Sequence, residues 1–245
     1  MTTSDTTDFD KRRGQIVAMG GGGFSMEPDN PLLDEYVLSL SGAESPHILF
    51  LATASGDDRG YIDRFYAAFA RFPCVPSHLS LFQPSTADPR ALVLAQDVVY
   101  VGGGNTKSLL ALWREWGLDS ALREFWQAGG VLAGLSAGSI CWFEEGVTDS
   151  IPGALSALPC LGFLAGSNCP HYDGEPERRP SYQRLVARGR IVDGYAADDG
   201  AALHYVGDRL ERVVSSRPHA RAYRLARSSD GHATETPIEA VYLLG

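Results

Sequence analysis

Gly134-Leu135-Ser136-Ala137-Gly138 decides how this chain is read. The apolar run Gly130-Val131-Leu132-Ala133 precedes it and reads as a buried strand. Ser139-Ile140-Cys141-Trp142-Phe143 follows and can start a helix. A serine between two glycines at a strand-to-helix turn is the pattern of a nucleophile elbow. The turn is tight, and side chains in place of the glycines would crowd it. The Ser136 hydroxyl would stand above the sheet edge. The backbone N–H of Ala137 would point at the same spot, at a helix N-terminus, where an oxyanion is stabilised. A plain glycine-rich turn can also hold a serine, so the rest of the chain must choose.

Outward from this stretch, short apolar runs alternate with amphipathic ones. Strands are expected at Gln15–Met19, His47–Thr53, His78–Leu81, Asp97–Val101 and Val131–Gly134. Helices are expected at Pro31–Ser41, Tyr61–Phe72, Thr106–Trp116, Asp119–Ala128 and Ala137–Glu145. Leu109, Leu110, Leu112, Trp113 and Trp116 fall on one face at helical period. This alternation gives an α/β fold, a doubly wound, mostly parallel sheet with helices on both faces. After Gly146 the order loosens into a Pro- and Gly-rich stretch to about Pro180. A helix near Ser181–Arg188 follows. Strands near Arg190–Val192, Ala201–Tyr205, Ala222–Leu225 and Ile238–Leu243 then extend the sheet or form an antiparallel edge. Residues 1–13 read as a disordered tail and 14–245 as one domain.

The net charge of −9 argues against a nucleic-acid surface. The four cysteines, Cys74, Cys141, Cys160 and Cys169, have neither zinc nor disulfide spacing. Reduced thiols and a polar start without a signal peptide fit a cytoplasmic protein. No apolar run has the length of a membrane span.

Three glycine-rich loops fall at carboxyl ends of strands, where open α/β sheets place their sites. Gly20-Gly21-Gly22-Gly23-Phe24 lacks the third glycine of a dinucleotide fingerprint and reads as a flexible strand-to-helix turn. Gly102-Gly103-Gly104-Asn105-Thr106-Lys107-Ser108 ends like a phosphate loop, but Val101 and Thr106 stand where that loop needs glycine. Its N–H groups are better used facing Ala137 across an oxyanion. The third loop is the serine elbow.

A serine needs a base. His47 and His78 read as strand starts, His219 and His232 as loop residues, and His204 as a strand residue. His171 differs, lying in the turn-rich Cys169-Pro170-His171-Tyr172-Asp173-Gly174-Glu175. An acid should orient its ring. Asp149, Asp173, Glu175, Asp198 and Asp199 all qualify, and spacing does not choose among them.

The segments Val101-Gly102-Gly103-Gly104-Asn105-Thr106, Gly134-Leu135-Ser136-Ala137-Gly138, Pro170-His171 and Gly194 through Asp199-Gly200 resemble, in order, those of the aspartyl dipeptidase (peptidase E) family. That family is related more distantly to cyanophycinases. The resemblance implies a fold like a class I glutamine amidotransferase domain, with serine in place of the nucleophilic cysteine. It implies Ser136 as nucleophile, His171 as base and Asp199 as acid, with Asp149 as the alternative. Oxyanion donors would be the N–H groups of Gly103 or Gly104 and of Ala137, and Asn105, Arg178 and Arg179 would contact substrate. The family arginine that holds an N-terminal aspartate falls at Ser181 when Gln183-Arg184 is aligned, so the Asp preference is expected to be weak. The reading is a serine peptidase of short peptides with no metal, cofactor, nucleic acid or membrane, and it leaves a homodimer open. The alternatives are a cyanophycinase-like or other amide hydrolase, and a non-catalytic binding protein on the same fold.

Overall fold

The computed structural model describes residues 13–244. The expected tail lies outside the described residues except for Arg13. Eight strands form one sheet: β1 (Gln15–Met19), β2 (His47–Leu51), β3 (Val75–Leu79), β4 (Val98–Val101), β5 (Val131–Leu135), β10 (Ala201–Val206), β11 (Arg209–Ser215) and β14 (Val241–Tyr242). Their order is β14-β11-β10-β1-β5-β4-β2-β3. The run from β1 through β5, β4 and β2 to β3 is parallel, while β10 joins β1 antiparallel. β2, β4 and β5 are nearly continuous apolar runs because helices cover both faces.

The second sheet has order β13-β12-β9-β8-β6-β7. Its strands are β6 (Phe143–Thr148), β7 (Ser156–Pro159), β8 (Leu164–Cys169), β9 (Gly194–Ala197), β12 (Ala222–Arg227) and β13 (Ala233–Ile238). The expectation that the later strands extend or edge the first sheet holds for Ala201–Tyr205, which is β10, and for Ile238–Leu243, which contains β14, while Ala222–Leu225 falls instead in β12 of this second sheet. The second sheet also places β7 and β8 within the stretch read as loosened, and starts the next strand at Gly194 rather than Arg190. One apolar cluster holds Leu49, Leu132, Phe143, Leu164 and Ala222, and so joins the two sheets.

The helices are α1 (Gly23–Met26), α2 (Leu32–Ser39), α3 (Arg59–Phe69), α4 (Pro89–Leu94), α5 (Thr106–Glu115), α6 (Leu118–Gln127), α7 (Ala137–Ile140) and α8 (Arg178–Ala187). The expected helix Ala137–Glu145 stops at Ile140. From Phe143 onward the burial alternates, then becomes continuous, as it does in a strand of a half-covered sheet. Likewise, α8 begins at Arg178, so Arg178 and Arg179 are helical rather than loop residues.

The Gly20–Gly23 turn, expected as a strand-to-helix turn, leads from β1 into α1, and its Gly20 N–H donates to Ala201 O at 2.9 Å. Phe24 is 2% exposed. Its ring packs 5.4–5.7 Å from those of Phe50, Tyr61, Phe65, Phe69 and Tyr100. Such an aromatic anchor is worth about 3–5 kcal/mol by truncation, enough to hold the turn before it.

Candidate active site

The carboxyl ends of both sheets meet at one place. β5 ends at Leu135, opposite Met19 of β1. The next residues are Ser136 and Gly20. The Gly20 carbonyl accepts the His171 N–H at 3.0 Å. Ser136 and Gly20 therefore stand side by side at the ends of neighbouring strands, one strand spacing of about 4.8 Å apart at the backbone, and His171, which comes from the second sheet, is tied to that point through Gly20. His171 follows β8 and Asp199 follows β9, which lie side by side and parallel in the second sheet. A bridge between Gly21 and Asp199 stitches the two sheets together there.

Ser136 has φ 55°, a left-handed conformation unusual for a residue with a side chain. That geometry lifts the serine out of the strand. From Val131 to Phe143 it alone is not fully buried. The flanking glycines are sterically required. A Cβ on Gly134 would come within 2.6 Å of the Val101 and Gly138 carbonyl oxygens, and one on Gly138 within 2.2 Å of Val101 O. Because α7 is a single turn, anion stabilisation would come from nearby N–H groups more than from a macrodipole. Asn168 Nδ2 donates to Ser139 Oγ at 2.6 Å and ties this turn to β8.

His171 also has a left-handed backbone, φ 54°. Its Nδ1 lies 2.7 Å from Asp199 Oδ1, and both side chains are about nine-tenths buried. A carboxylate can only accept, so Nδ1 is the donor in this contact, and the neutral ring in that tautomer has its lone pair on Nε2. The Asp199 N–H donates to Asp173 Oδ1 at 2.8 Å.

The other acids stand elsewhere. Asp198 Oδ2 accepts the Arg221 N–H, and burial pushes its carboxyl up to about 6. Glu175 pairs with Arg178, and the side chain of Asp149 is 68% exposed, 4.0 Å from Arg178. His204 lies inside the first sheet between Tyr36 Oη and Gln15 Oε1, and burial lowers its pKa to about 4.

The Gly102–Gly104 turn faces Ser136. A Cβ on Gly103 would lie 3.3 Å from Ser136 Cβ. The Gly103 N–H donates to Tyr61 Oη at 3.2 Å, which occupies one of the expected oxyanion donors. Gly104 has φ 137° and packs so closely on Ala54 O that a Cβ would come within 2.3 Å.

Three expected substrate contacts are engaged within the chain. Asn105 caps α5, its Oδ1 accepting the Ser108 N–H and its Nδ2 donating to Ser150 O, both at 2.9 Å. Arg178 is 2% exposed, its Nε donating to Glu175 Oε2 at 2.6 Å and its Nη1 to Val147 O at 2.9 Å. Arg179 pairs with Glu235. Ser181 is buried and accepts from Arg184. Sequence reasoning missed Tyr61 as a neighbour of the site, read Gly21 only as part of a turn, and weighed Asp173 only as a candidate for the orienting acid. Nothing local to Tyr61 carried a signal for it.

A profile of Peptidase family S51 matches residues 16–213. The Bacillus subtilis (strain 168) protein named Uncharacterized peptidase YgaJ is 59% identical over 229 residues, covering 94% of this chain and 99% of that protein. Peptidase E of Shewanella amazonensis is 30% identical over 135 residues, 51% of this chain and 57% of that protein. The crystal structure of a peptidase from an acI-B1 actinobacterium matches with a TM-score of 0.68 over 95% of this chain and 97% of that one. At 20% identity, that match is a likeness of fold.

Proposed function

The chain belongs to peptidase family S51, and on that premise we propose that it hydrolyses short peptides with Ser136 as nucleophile, His171 as base and Asp199 as the acid behind it. The observation that carries this reading is the 2.7 Å contact between His171 Nδ1 and Asp199 Oδ1, set at the strand ends beside the Ser136 elbow. Asp199 fixes the Nδ1–H tautomer, which leaves Nε2 to take the Ser136 proton. Ser136 Oγ attacks the scissile carbonyl carbon and the carbonyl oxygen becomes an oxyanion. The N–H groups of Gly104 and Ala137 face it, since Tyr61 holds that of Gly103. The intermediate collapses, the C–N bond breaks, and His171 gives its proton to the leaving amine. Water then attacks the acyl-serine by the same route and releases the acid. No helix among the described residues is long and apolar enough to cross a membrane.

Substrate choice follows from the arginines. A site specific for a substrate carboxylate needs a guanidinium fork free to bind it. Arg178 and Arg179 are both already paired. The preference for an N-terminal aspartate is therefore weak. The test compares kcat/KM for Asp-Leu, Asn-Leu and Ala-Leu, with Ser136→Ala as blank. Rates within about tenfold of one another support the reading. A preference for Asp-Leu above about a hundredfold, the worth of a strong charge-assisted contact, overturns the substrate assignment. Absence of hydrolysis across a broad panel of short peptides overturns the activity.

A further inference from the structure

The family match ends at residue 213, but the chain goes on into the β12–β13 hairpin. β12 pairs with β9, Ala222 opposite Ala197, just before the turn that carries Asp199. That turn is held twice more. The Asp198 N–H donates to Arg221 O at 3.0 Å, and the Arg221 N–H to Asp198 Oδ2 at 3.1 Å.

β13 supplies Glu235. Its carboxylate accepts from Tyr172 Oη at 2.6 Å, from Gln183 Nε2 at 2.9 Å and from Arg179. Burial opposes its charge, but these three donors outweigh that and hold its carboxyl below the usual range. A charged acceptor makes the stronger hydrogen bond. Tyr172 is the residue after His171. It is 2% exposed, and its N–H donates to Ala197 O at 3.1 Å.

A left-handed backbone at a residue with a side chain is strained and persists only where its surroundings enforce it. His171 is held on one side by its N–H bond to Gly20 O. On the other side the hold is Tyr172, anchored at its backbone to β9 and at its phenol to Glu235.

We infer that Glu235 is a positioning residue: through Tyr172, the hairpin beyond residue 213 holds His171 in its strained backbone conformation and so sets the His171–Asp199 pairing. This rests on the catalytic reading above. The hairpin reaches both members of the pair, Asp199 through β12 and His171 through β13. Neither Glu235 nor Tyr172 touches substrate in this account. Their effect passes through the imidazole.

Glu235→Ala, Glu235→Gln and Tyr172→Phe test it, each with its melting temperature recorded. Glu235→Ala and Tyr172→Phe are expected to lower kcat about 10- to 100-fold, the cost of a misplacement near 1 Å, with KM within about twofold. Glu235→Gln keeps an acceptor oxygen and should fall between these and the wild type. The second readout is the downfield proton resonance of the His171 Nδ1–H, identified by its absence in His171→Ala. It should broaden or vanish in Glu235→Ala and Tyr172→Phe. A folded Glu235→Ala that keeps both the wild-type kcat and the resonance, losing only melting temperature, overturns the inference. If Glu235→Ala does not fold, Tyr172→Phe decides by the same two readouts. A wild type that shows the resonance but hydrolyses no peptide refutes the catalytic reading, and the resonance still judges the clamp.

Discussion

Gly21→Ala adds one methyl group at the point where the two sheets meet. Its φ lies outside the left-handed region, so alanine can adopt the backbone, and only the space is at issue. The new Cβ would sit 2.1 Å from Asp199 Oδ1 and 3.0 Å from His171 Nδ1. Non-bonded heavy atoms are comfortable near about 3.5 Å, so the carboxylate must retreat by more than about 1 Å. That retreat stretches the 2.7 Å contact to His171 beyond hydrogen-bonding length. It has little room, because the other carboxylate oxygen, Oδ2, packs against Gly174 so closely that a Cβ there would come within 2.2 Å. Losing the acid's hold on the tautomer costs from about a hundredfold to about 10⁴-fold in kcat, or about 3–5 kcal/mol of transition-state stabilisation. The assay is steady-state hydrolysis of a dipeptide, with Gly60→Ala as control. A Cβ on Gly60, in the first turn of α3, meets its nearest neighbour at an ordinary 3.4 Å, and that variant should keep the wild-type rate. A Gly21→Ala protein within about threefold of wild-type kcat would refute the reasoning, because the His171–Asp199 contact could not then matter to turnover.

Asp199→Asn should lower kcat by about 10⁴-fold, as expected when the amide favours the wrong histidine tautomer. Asp149→Asn should change it less than about fivefold, since that carboxylate stands apart from His171; equal losses from both would contradict the assignment of the acid. Asp34 provides a pH test of stability. Burial pushes its carboxyl up to about 7, against hydrogen bonds from Tyr100 and the Phe24 backbone. The unfolded chain ionises this group near pH 4 while the folded chain keeps it protonated. Its contribution is therefore complete below about pH 4 and is lost as pH rises through about 7. Asp34→Asn should gain on the wild type by a few kcal/mol across that window, read from urea midpoints at pH 4.5 and 7.5. A gap that does not change with pH contradicts the shift.

Four of the five parallel strands were legible because they are buried on both faces, while β3, half-exposed and interrupted by Pro76, was expected at His78–Leu81 and lies at Val75–Leu79. His47–Leu51 and Val131–Leu135 are continuous apolar runs bounded by turn residues. The second sheet was not, because its strands carry little such signal. Leu164–Cys169 reads Leu-Ala-Gly-Ser-Asn-Cys, and Phe143–Thr148 begins directly after a helical turn whose apolar run it continues. At the site, the Gly134–Gly138 elbow was legible because tight packing on Val101 O permits only glycine there. The partnership of His171 with Asp199 was not legible from spacing. It is fixed by β8 lying beside β9, and four other acids looked equivalent along the chain. Glu235 could not be seen at all, since it reaches Tyr172 across 63 residues and only through the hairpin.

The central claim is that Ser136 is an activated nucleophile. It is tested most directly by treating the protein with a fluorophosphonate and locating the adduct by peptide mass spectrometry. The account predicts one phosphonylated residue, Ser136, with labelling lost in Ser136→Ala and slowed at least a hundredfold in His171→Ala. A wild-type protein that stays unlabelled, or carries the label on another serine, would contradict it.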